Sequence, residues 1–177
     1  DYITINISSP NTENLRDFHD QEKLNELLDF VEQEKKNLKT KIPIVVKISP
    51  DISDEQVNQI SQILLEHEVK AIIVSNTTEG NREKLQNILK HQKGGLSGKP
   101  LELKSNQLIN KIYNLLKDKI EIIGVGGVDS GKSAYEKFLA GANYLQLYTG
   151  MVFQGPNIIS KIKKELKELL IKEGVKN

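Results

Sequence analysis

A short polar segment near the start of the chain is the first place where the residue types could support chemistry. It runs Asn6-Ile7-Ser8-Ser9-Pro10-Asn11-Thr12 and directly follows an alternating strand. In that strand the isoleucines share one face and Tyr2, Thr4, Asn6 and Ser8 share the other. Such a strand fits a barrel that carries a binding site at its mouth. A merely polar turn is the simpler interpretation, but four later strand ends carry matching residues.

Two of those strand ends supply a buried cation and a second polar cluster. Lys47 lies inside the apolar run 43–48, where its ammonium is costly unless an anion or a strong acceptor meets it. A lysine that reaches solvent from a strand end is an equally good interpretation of Lys47 alone. The segment 75–78, Ser-Asn-Thr-Thr, offers donors and acceptors suited to a planar polar ring, although by itself it could be a capped turn.

The last two strand ends carry glycines. The segment 124–129 reads Gly-Val-Gly-Gly-Val-Asp, and 147–150 reads Leu-Tyr-Thr-Gly. Glycines allow a ligand to approach the backbone, and adjacent glycine-bearing strand ends in this order are typical of a phosphate pocket in a barrel. The spacing differs from the dinucleotide fingerprint. A further loop, Gly94–Gly98, is either an adaptable cover for this pocket or a flexible surface loop.

The remaining sequence predicts the elements that position these residues. Hydrophobic periodicity alternates strand and helix, with strands at 2–8, 43–48, 71–75, 120–125 and 144–147. Ser53 and Gln56 form a predicted capping box, and Asp129 or Ser130 is expected to cap a later helix. Repeated βα units predict a parallel sheet, either doubly wound or a TM (β/α)8 barrel. Polar side chains on the inward face of the strands favour the barrel, because strands of an open sheet are usually apolar on both faces. Five strands in 177 residues correspond to the last five βα units of such a barrel.

Composition excludes several functions. The chain has 25 basic and 24 acidic residues, so nothing favours nucleic-acid binding. It has no cysteine, which excludes disulfides and thiolate chemistry. His19, His67 and His91 lie in polar surroundings without metal spacing; we expect them to be exposed, and we predict no metal site. The chain opens at Asp1, already inside a strand, which we interpret as a cut end.

The motifs taken together resemble class 2, quinone-dependent dihydroorotate dehydrogenase. They are Asn-Ile-Ser-Ser-Pro-Asn-Thr, Val-Lys-Ile-Ser-Pro-Asp, Ser-Asn-Thr-Thr, Gly-Gly-Leu-Ser-Gly-Lys-Pro-Leu, Ile-Ile-Gly-Val-Gly-Gly-Val and Gln-Leu-Tyr-Thr-Gly, and they run in the family's order from Asn6 to Gly150. The resemblance implies an FMN-containing (β/α)8 barrel that oxidises dihydroorotate to orotate in pyrimidine biosynthesis and passes the electrons to a membrane quinone. Residues 1–177 would then be the C-terminal part of one barrel domain.

The resemblance also implies roles for individual residues. Ser9 would be the base that removes the substrate C5 proton while the C6 hydride goes to flavin N5, and Thr12 would be its relay partner. Residues Asn6, Asn11, Asn76 and Thr77 would hold the orotate ring. The cofactor would be held by Asn6, Lys47, Ser75, Ser97, Gly98, Val125, Gly126, Gly127, Tyr148, Thr149 and Gly150. Position 75 usually has threonine in the family, and position 9 has cysteine in the related class 1 enzymes.

Part of the family's enzyme has no counterpart in this sequence, and further expectations follow from that. The family's first three barrel strands, and the N-terminal helices that form its quinone tunnel and peripheral contact with the bacterial or mitochondrial inner membrane, have no counterpart here. We therefore expect exposed sheet edges, a soluble chain that is inactive alone, and a complementary N-terminal segment. Two alternatives stay open: a non-catalytic remnant or partner-dependent fragment of a broken gene, and another FMN barrel acting on a pyrimidine ring.

Overall fold

Five parallel strands form one sheet in the computed structural model, which describes residues 1–174. They are β1 (Ile3–Asn6), β2 (Ile44–Ile48), β3 (Val69–Val74), β4 (Glu121–Val125) and β5 (Tyr144–Gln146). Each strand pairs with the next one along the chain, in the order β1-β2-β3-β4-β5. A doubly wound sheet reverses its strand order part-way, whereas a barrel does not. The sequential order therefore confirms the barrel architecture predicted from the sequence.

Helices follow the strands as the periodicity predicts. They are α1 (Gln21–Asn37), α2 (Asp54–Glu66), α3 (Glu102–Leu116), α4 (Gly131–Ala140), α5 (Thr149–Gln154) and α6 (Ile158–Lys172). The capping box of Ser53 and Gln56 begins α2, and Ser130 rather than Asp129 caps α4. The short helix α5 has too few residues for a periodic signal, and the sequence did not predict it.

The two faces of the sheet bury different side chains. On the outer face Val46, Ile72 and Ile122 pack with the helices in the main core. On the inner face Val45, Ala71, Ile73 and Ile123 form a smaller apolar cluster. This alternation places Lys47 and the polar residues of β1 on the inner side, as predicted.

The sheet has two free edges, formed by β1 and β5. In the described part of the chain β1 and β5 each have one strand neighbour, and Ile3 and Tyr144 are exposed. Gln146 Nε2 donates a hydrogen bond of 2.8 Å to the hydroxyl of Tyr2, so a side chain of β5 meets one that immediately precedes β1. The exposed edges expected of a partial barrel are present.

The prediction of exposed histidines was wrong for two of the three. His19 is only 1% exposed: its Nδ1 lies 2.9 Å from the carbonyl oxygen of Arg16, and its Nε2 accepts from the N–H of Ser49 at 3.3 Å. His67 is held between two polar side chains of α1. His91 is exposed, as expected. The prediction for His19 rested on its polar neighbours in the sequence, and these do not show that the segment after β1 folds onto the loop after β2.

Candidate active site

A cavity of about 340 Å³ lies at the carboxyl ends of β2 to β5. Its volume falls within the usual range for small-molecule sites. It gathers all the predicted site residues except four: Asn6 at the end of β1, and Ser9, Asn11 and Thr12 in the loop that follows. The residues that line it are Lys47, Ser75, Asn76, Thr77, Ser97, Gly98, Leu101, Val125, Gly126, Gly127, Val128, Leu147, Tyr148, Thr149 and Gly150.

The turn after β4 forms one wall of the cavity. Gly126 and Gly127 have φ values of 111° and 80°, which side chains rarely adopt. A Cβ atom on Gly127 would lie 2.5 Å from the Cβ of Glu102, at the start of α3. The turn is therefore pressed against α3, and it presents backbone rather than side chains to the cavity.

The start of α5 forms the adjoining wall. The first N–H groups of a helix have no intrahelical acceptor, and Tyr148 provides no side-chain cap for them. The side chain of Tyr148 is 80% exposed at the rim. Thr149 Oγ1 donates a hydrogen bond of 2.9 Å to Ser97 Oγ, which ties this strand end to the loop at 94–98.

That loop is held in place by internal hydrogen bonds. The guanidinium of Arg82 donates to the carbonyl oxygens of Lys90 at 2.9 Å and Gln92 at 3.0 Å, and also to that of Gly94. Thr78 and Leu96 exchange backbone hydrogen bonds of 3.1 and 2.7 Å. Residues 94–98 are thus held by hydrogen bonds over one side of the cavity, and we call this segment the cover. Arg82 was not predicted, because a single arginine in a polar loop carries no spacing signal.

Lys47 brings a positive charge to the inner wall. It lies opposite Asn6 in the β1–β2 register and is half-buried. Burial lowers the pKa of the Lys47 ammonium below its ordinary value, and no neighbouring carboxylate among the described residues acts against that effect. The cavity lining contains no aspartate or glutamate either. An anion or a strong acceptor from a ligand would therefore relieve the cost of this burial.

The first loop is joined to the cavity by a serine that the sequence did not single out. Ser8 Oγ donates to Asn6 Oδ1 at 2.5 Å and accepts from Asn76 Nδ2 at 2.9 Å. Asn76 Oδ1 accepts from the N–H of Thr77 at 2.7 Å. Ser8 is fully buried and so fixes the orientation of both asparagine amides. Its place on the polar face of the opening segment was the only available signal.

Ser9 and Thr12 meet outside the cavity. Thr12 Oγ1 lies 3.3 Å from Ser9 Oγ, and the N–H of Asn11 donates to the same oxygen at 3.2 Å. Ser9 is half-buried, whereas Asn11 and Thr12 are exposed. A Cβ on Gly95 would lie 3.2 Å from Pro10 Cγ, so this loop touches the cover at 94–98. The predicted pair is within relay distance, on a more open part of the molecule.

Asp51 joins the loops that surround the site. Its carboxylate accepts from the hydroxyl of Thr78, the N–H of Glu79 at 2.8 Å and the ammonium of Lys104, and Arg16 approaches it at 3.5 Å. Burial acts to raise the pKa of Asp51, but the hydrogen bonds outweigh it and the pKa is lowered. The loops after β1, β2 and β3 are therefore held to α3 through one carboxylate.

The described residues contain no cluster of three or more histidine, aspartate or glutamate side chains able to hold a metal ion. Hydroxyls, amides, glycine backbone and one lysine make up the site instead. Such a donor set suits an organic ligand with an anionic group.

Comparison with known proteins agrees with this geometry. The family model described as dihydroorotate dehydrogenase matches residues 1–170. The quinone-type dihydroorotate dehydrogenase of Pasteurella multocida is 44% identical over 173 residues, covering 94% of this chain and 50% of that protein. The mitochondrial quinone-type enzyme of Mus musculus is 43% identical over 176 residues, covering 98% of this chain and 45% of that protein.

A solved structure shares the fold. The ligand-free DHODH of Eimeria tenella superposes with a TM-score of 0.95 at 33% identity, covering 99% of this chain and 53% of that one. The chain spans about half the length of the curated relatives it matches. The barrel fold and the resemblance drawn from the motifs are both confirmed. The chain belongs to the dihydroorotate dehydrogenase family.

Proposed function

We propose that this chain forms the C-terminal part of a quinone-dependent enzyme that oxidises dihydroorotate to orotate with FMN, in pyrimidine biosynthesis. The observation that carries the proposal is the cavity at the ends of β2 to β5, which brings together the family's motif residues from four separate strand ends. The first loop, with Ser9, lies beside the cover of that cavity.

The residues present fit FMN. The cavity lining includes one lysine and no carboxylate, so it favours an anionic ligand. Gly126 and Gly127 leave space for a phosphate to approach the backbone, and the hydroxyls of Ser97 and Thr149 lie 2.9 Å apart on the adjoining wall. Ser75 keeps the hydroxyl of the threonine that is usual at this position. We assign the phosphate end to the ends of β4 and β5 and the ring end to Lys47.

The substrate is assigned to the amide cluster between β1 and β3. Asn6 and Asn76 are fixed through Ser8, and Thr77 follows Asn76 directly. Asn11 lies on the first loop, next to Ser9. Amides present both donors and acceptors, which matches the alternating carbonyl and N–H groups of a pyrimidine ring.

Proton removal is assigned to Ser9. FMN, when bound, supplies the two-electron acceptor of the oxidation. Ser9 Oγ takes the proton from the substrate C5, and Thr12 Oγ1, 3.3 Å away, is placed to pass it on. A serine hydroxyl is a weak base, so this step requires a closed site around the half-buried Ser9.

The electron acceptor and location follow from the same proposal. We assign a membrane quinone as the acceptor, and peripheral contact with a bacterial or mitochondrial inner membrane through an N-terminal segment. That segment would also supply the strands that complete the barrel. Among the described residues, no helix combines the length and apolar character needed to cross a bilayer.

The residue types at the site argue against two alternatives to this function. A non-catalytic remnant of a broken gene would accumulate damage at the site, yet the site residues retain their family types apart from the conservative Ser75. Another FMN barrel acting on pyrimidines is disfavoured by serine at position 9, where several of those enzymes have cysteine.

The test compares the chain alone with a fusion that completes the barrel, using the N-terminal half of the Pasteurella multocida relative. Each protein is purified with FMN, and dihydroorotate is added without oxygen. The proposal expects the visible flavin absorbance of the fusion to bleach. A fusion that binds FMN and does not bleach would contradict the assigned substrate.

A further inference from the structure

Lys137, on α4, is a fully buried cation outside the cavity. It is 0% exposed and lies among the largest side chains of the interior. Its ammonium donates to Ser105 Oγ at 3.0 Å and to Asn106 Oδ1 at 2.8 Å, both on α3 and both uncharged. None of the ion pairs among the described residues involves it. A buried ammonium without a carboxylate partner is costly, so its presence calls for an explanation.

A chain of hydrogen bonds connects Lys137 to the cavity wall. Ser105 Oγ, which accepts from the lysine, donates to the carbonyl oxygen of Val125 at 2.7 Å. The same carbonyl accepts from the N–H of Ser75 at 3.3 Å. Val125 and Ser75 both line the cavity. Lys137 therefore lies two hydrogen bonds behind the wall where the ends of β3 and β4 meet.

The strand in front of the lysine is shaped around it. A Cβ on Gly124 would lie 3.2 Å from Lys137 Cδ, and one on Gly126 would lie 3.4 Å from Ser105 Cβ. Side chains at these two glycines would crowd the lysine and its serine partner. The glycine segment thus brings the cavity wall close to the buried charge.

Nearby charges leave the ammonium only partly compensated. Burial lowers the pKa of Lys137 to about 8. Glu102 at the start of α3 and Glu136 on α4 act to raise the pKa, and Lys99 acts to lower it. A dianionic ligand on the other side of the wall would add the missing negative charge and favour the protonated lysine.

We infer that Lys137 is the cation that serves the phosphate group of the ligand, separate from Lys47 at the ring end, and that it acts through Ser105 and the Val125 carbonyl from behind the glycine turn. This inference rests on the proposed function and adds to it a binding determinant for a phosphate group. The lysine does not touch the ligand. Its charge stabilises the phosphate across the wall, and its hydrogen bonds fix the Val125 carbonyl so that the Gly126–Gly127 turn keeps its shape.

The test compares FMN with riboflavin, which has the same ring and lacks the phosphate, on the fusion described above. Flavin fluorescence quenching gives both affinities for the wild type and for Lys137→Met. At an effective protein dielectric constant of about 20, a unit charge roughly 10 Å from an anion is worth roughly one order of magnitude in affinity. We expect FMN binding to weaken about tenfold while riboflavin binding stays unchanged. Lys132→Met, on the exposed face of the same helix, also removes one positive charge and should change neither the FMN affinity nor the riboflavin affinity.

A second readout needs no flavin. Inorganic phosphate, at one fixed concentration, should raise the thermal midpoint of the wild type and of Lys132→Met by more than that of Lys137→Met or of Lys137→Gln. The glutamine variant keeps a hydrogen-bond donor, so it also serves if the methionine variant does not fold. Between pH 7 and pH 9 the FMN affinity of the wild type should fall more steeply than that of the two Lys137 variants, because Lys137 loses its proton in this range.

The outcomes separate this inference from the function it rests on. Equal weakening of FMN and riboflavin would give Lys137 a purely structural role and would overturn the inference, as would no change in either. A wild type that gains no stability from phosphate and shows no preference for FMN would overturn it as well. If phosphate stabilises the protein through Lys137 but neither flavin binds, the proposed cofactor is wrong and the anion site remains.

Discussion

The turn after β4 and the loop after β1 are the two ends of the candidate site, and they are built in opposite ways. The turn is packed against α3 by glycines that leave no space for a side chain, with a buried lysine behind it. The loop becomes exposed after Pro10, and Ser9 Oγ is held by two hydrogen bonds of 3.2 and 3.3 Å from within the loop. In the proposed function, the phosphate end is therefore formed within this chain, whereas the proton-transfer end requires closure of the site by parts of the barrel outside these five strands.

The largest expected effect is at the open end. Ser9→Ala in the fusion should lower the rate of dihydroorotate oxidation by about 10²- to 10⁴-fold, because removing a general base forfeits that much acceleration. FMN content should not change, since Ser9 lies outside the cavity. Turnover with a soluble quinone and the flavin absorbance of the purified protein measure the two quantities. Loss of FMN together with activity would contradict the division of the site into two ends.

The next effect is at the rigid end. Gly127→Ala places a Cβ 2.5 Å from the Cβ of Glu102, so the turn must shift away from α3. A displaced turn would lose a backbone hydrogen bond to the charged phosphate, and such a bond is worth about 1.5–3 kcal/mol, so we expect FMN affinity to fall by about 10- to 100-fold.

Gly155→Ala is the matched control for that substitution. Gly155 has a similar φ of 77°, and nothing lies within 4 Å of its added Cβ. It should cost only the conformational strain of about 1–3 kcal/mol, with FMN affinity unchanged. Equal loss of FMN affinity in both variants would show that backbone strain, not close packing, governs the turn.

Asp51 connects the two ends, and its replacement tests that connection. Asp51→Asn removes the charge that Lys104 and Arg16 share, and it should lower the free energy of unfolding by about 2 kcal/mol. The pKa of Asp51 is lowered from 3.8 in the folded protein. Its stabilisation is therefore present above that value and is lost as the pH falls through the folded pKa.

Urea unfolding at neutral and acidic pH measures this contribution. Asp54→Asn is the control, because Asp54 pairs with Lys111 at an exposed site and should matter by less than about 0.5 kcal/mol. If the two variants lose the same stability at pH 7, Asp51 does not hold the loops together.

The smallest effect concerns His19 beneath the first loop. Desolvation by burial lowers its pKa from 6.5, and the neutral ring accepts the N–H of Ser49. Protonation removes that acceptor, so the stability is complete above pH 6.5 and declines as the pH falls towards the folded pKa. His19→Gln should flatten this decline in urea unfolding between pH 5 and pH 7, and His91→Gln should not. The wild-type slope persisting in His19→Gln would assign the effect to other groups.

The sequence predicted the parts of this molecule that depend on local patterns. Neighbouring residues alone predict three features: the capping box of Ser53 and Gln56, the placement of Lys47 on the inner face of its strand, and the glycine turn after β4. The strand order then follows from the repeated βα units.

Contacts between distant segments were not predictable in this way. Arg82 bonds to carbonyls up to twelve residues away, Asp51 joins three loops, and Lys137 meets Ser105 across two helices. None of these pairs has a characteristic spacing in the sequence. The burial of His19 was missed for the same reason, because it depends on where the loop after β2 lies.

The most direct test of the account is anaerobic addition of dihydroorotate to FMN-loaded protein, followed by its visible spectrum. The account predicts that the flavin absorbance bleaches in the fusion that completes the barrel and that the chain alone gives no bleaching. Bleaching by the chain alone would show that these five strands suffice for the reaction and would contradict the proposed dependence of the Ser9 loop on the rest of the barrel.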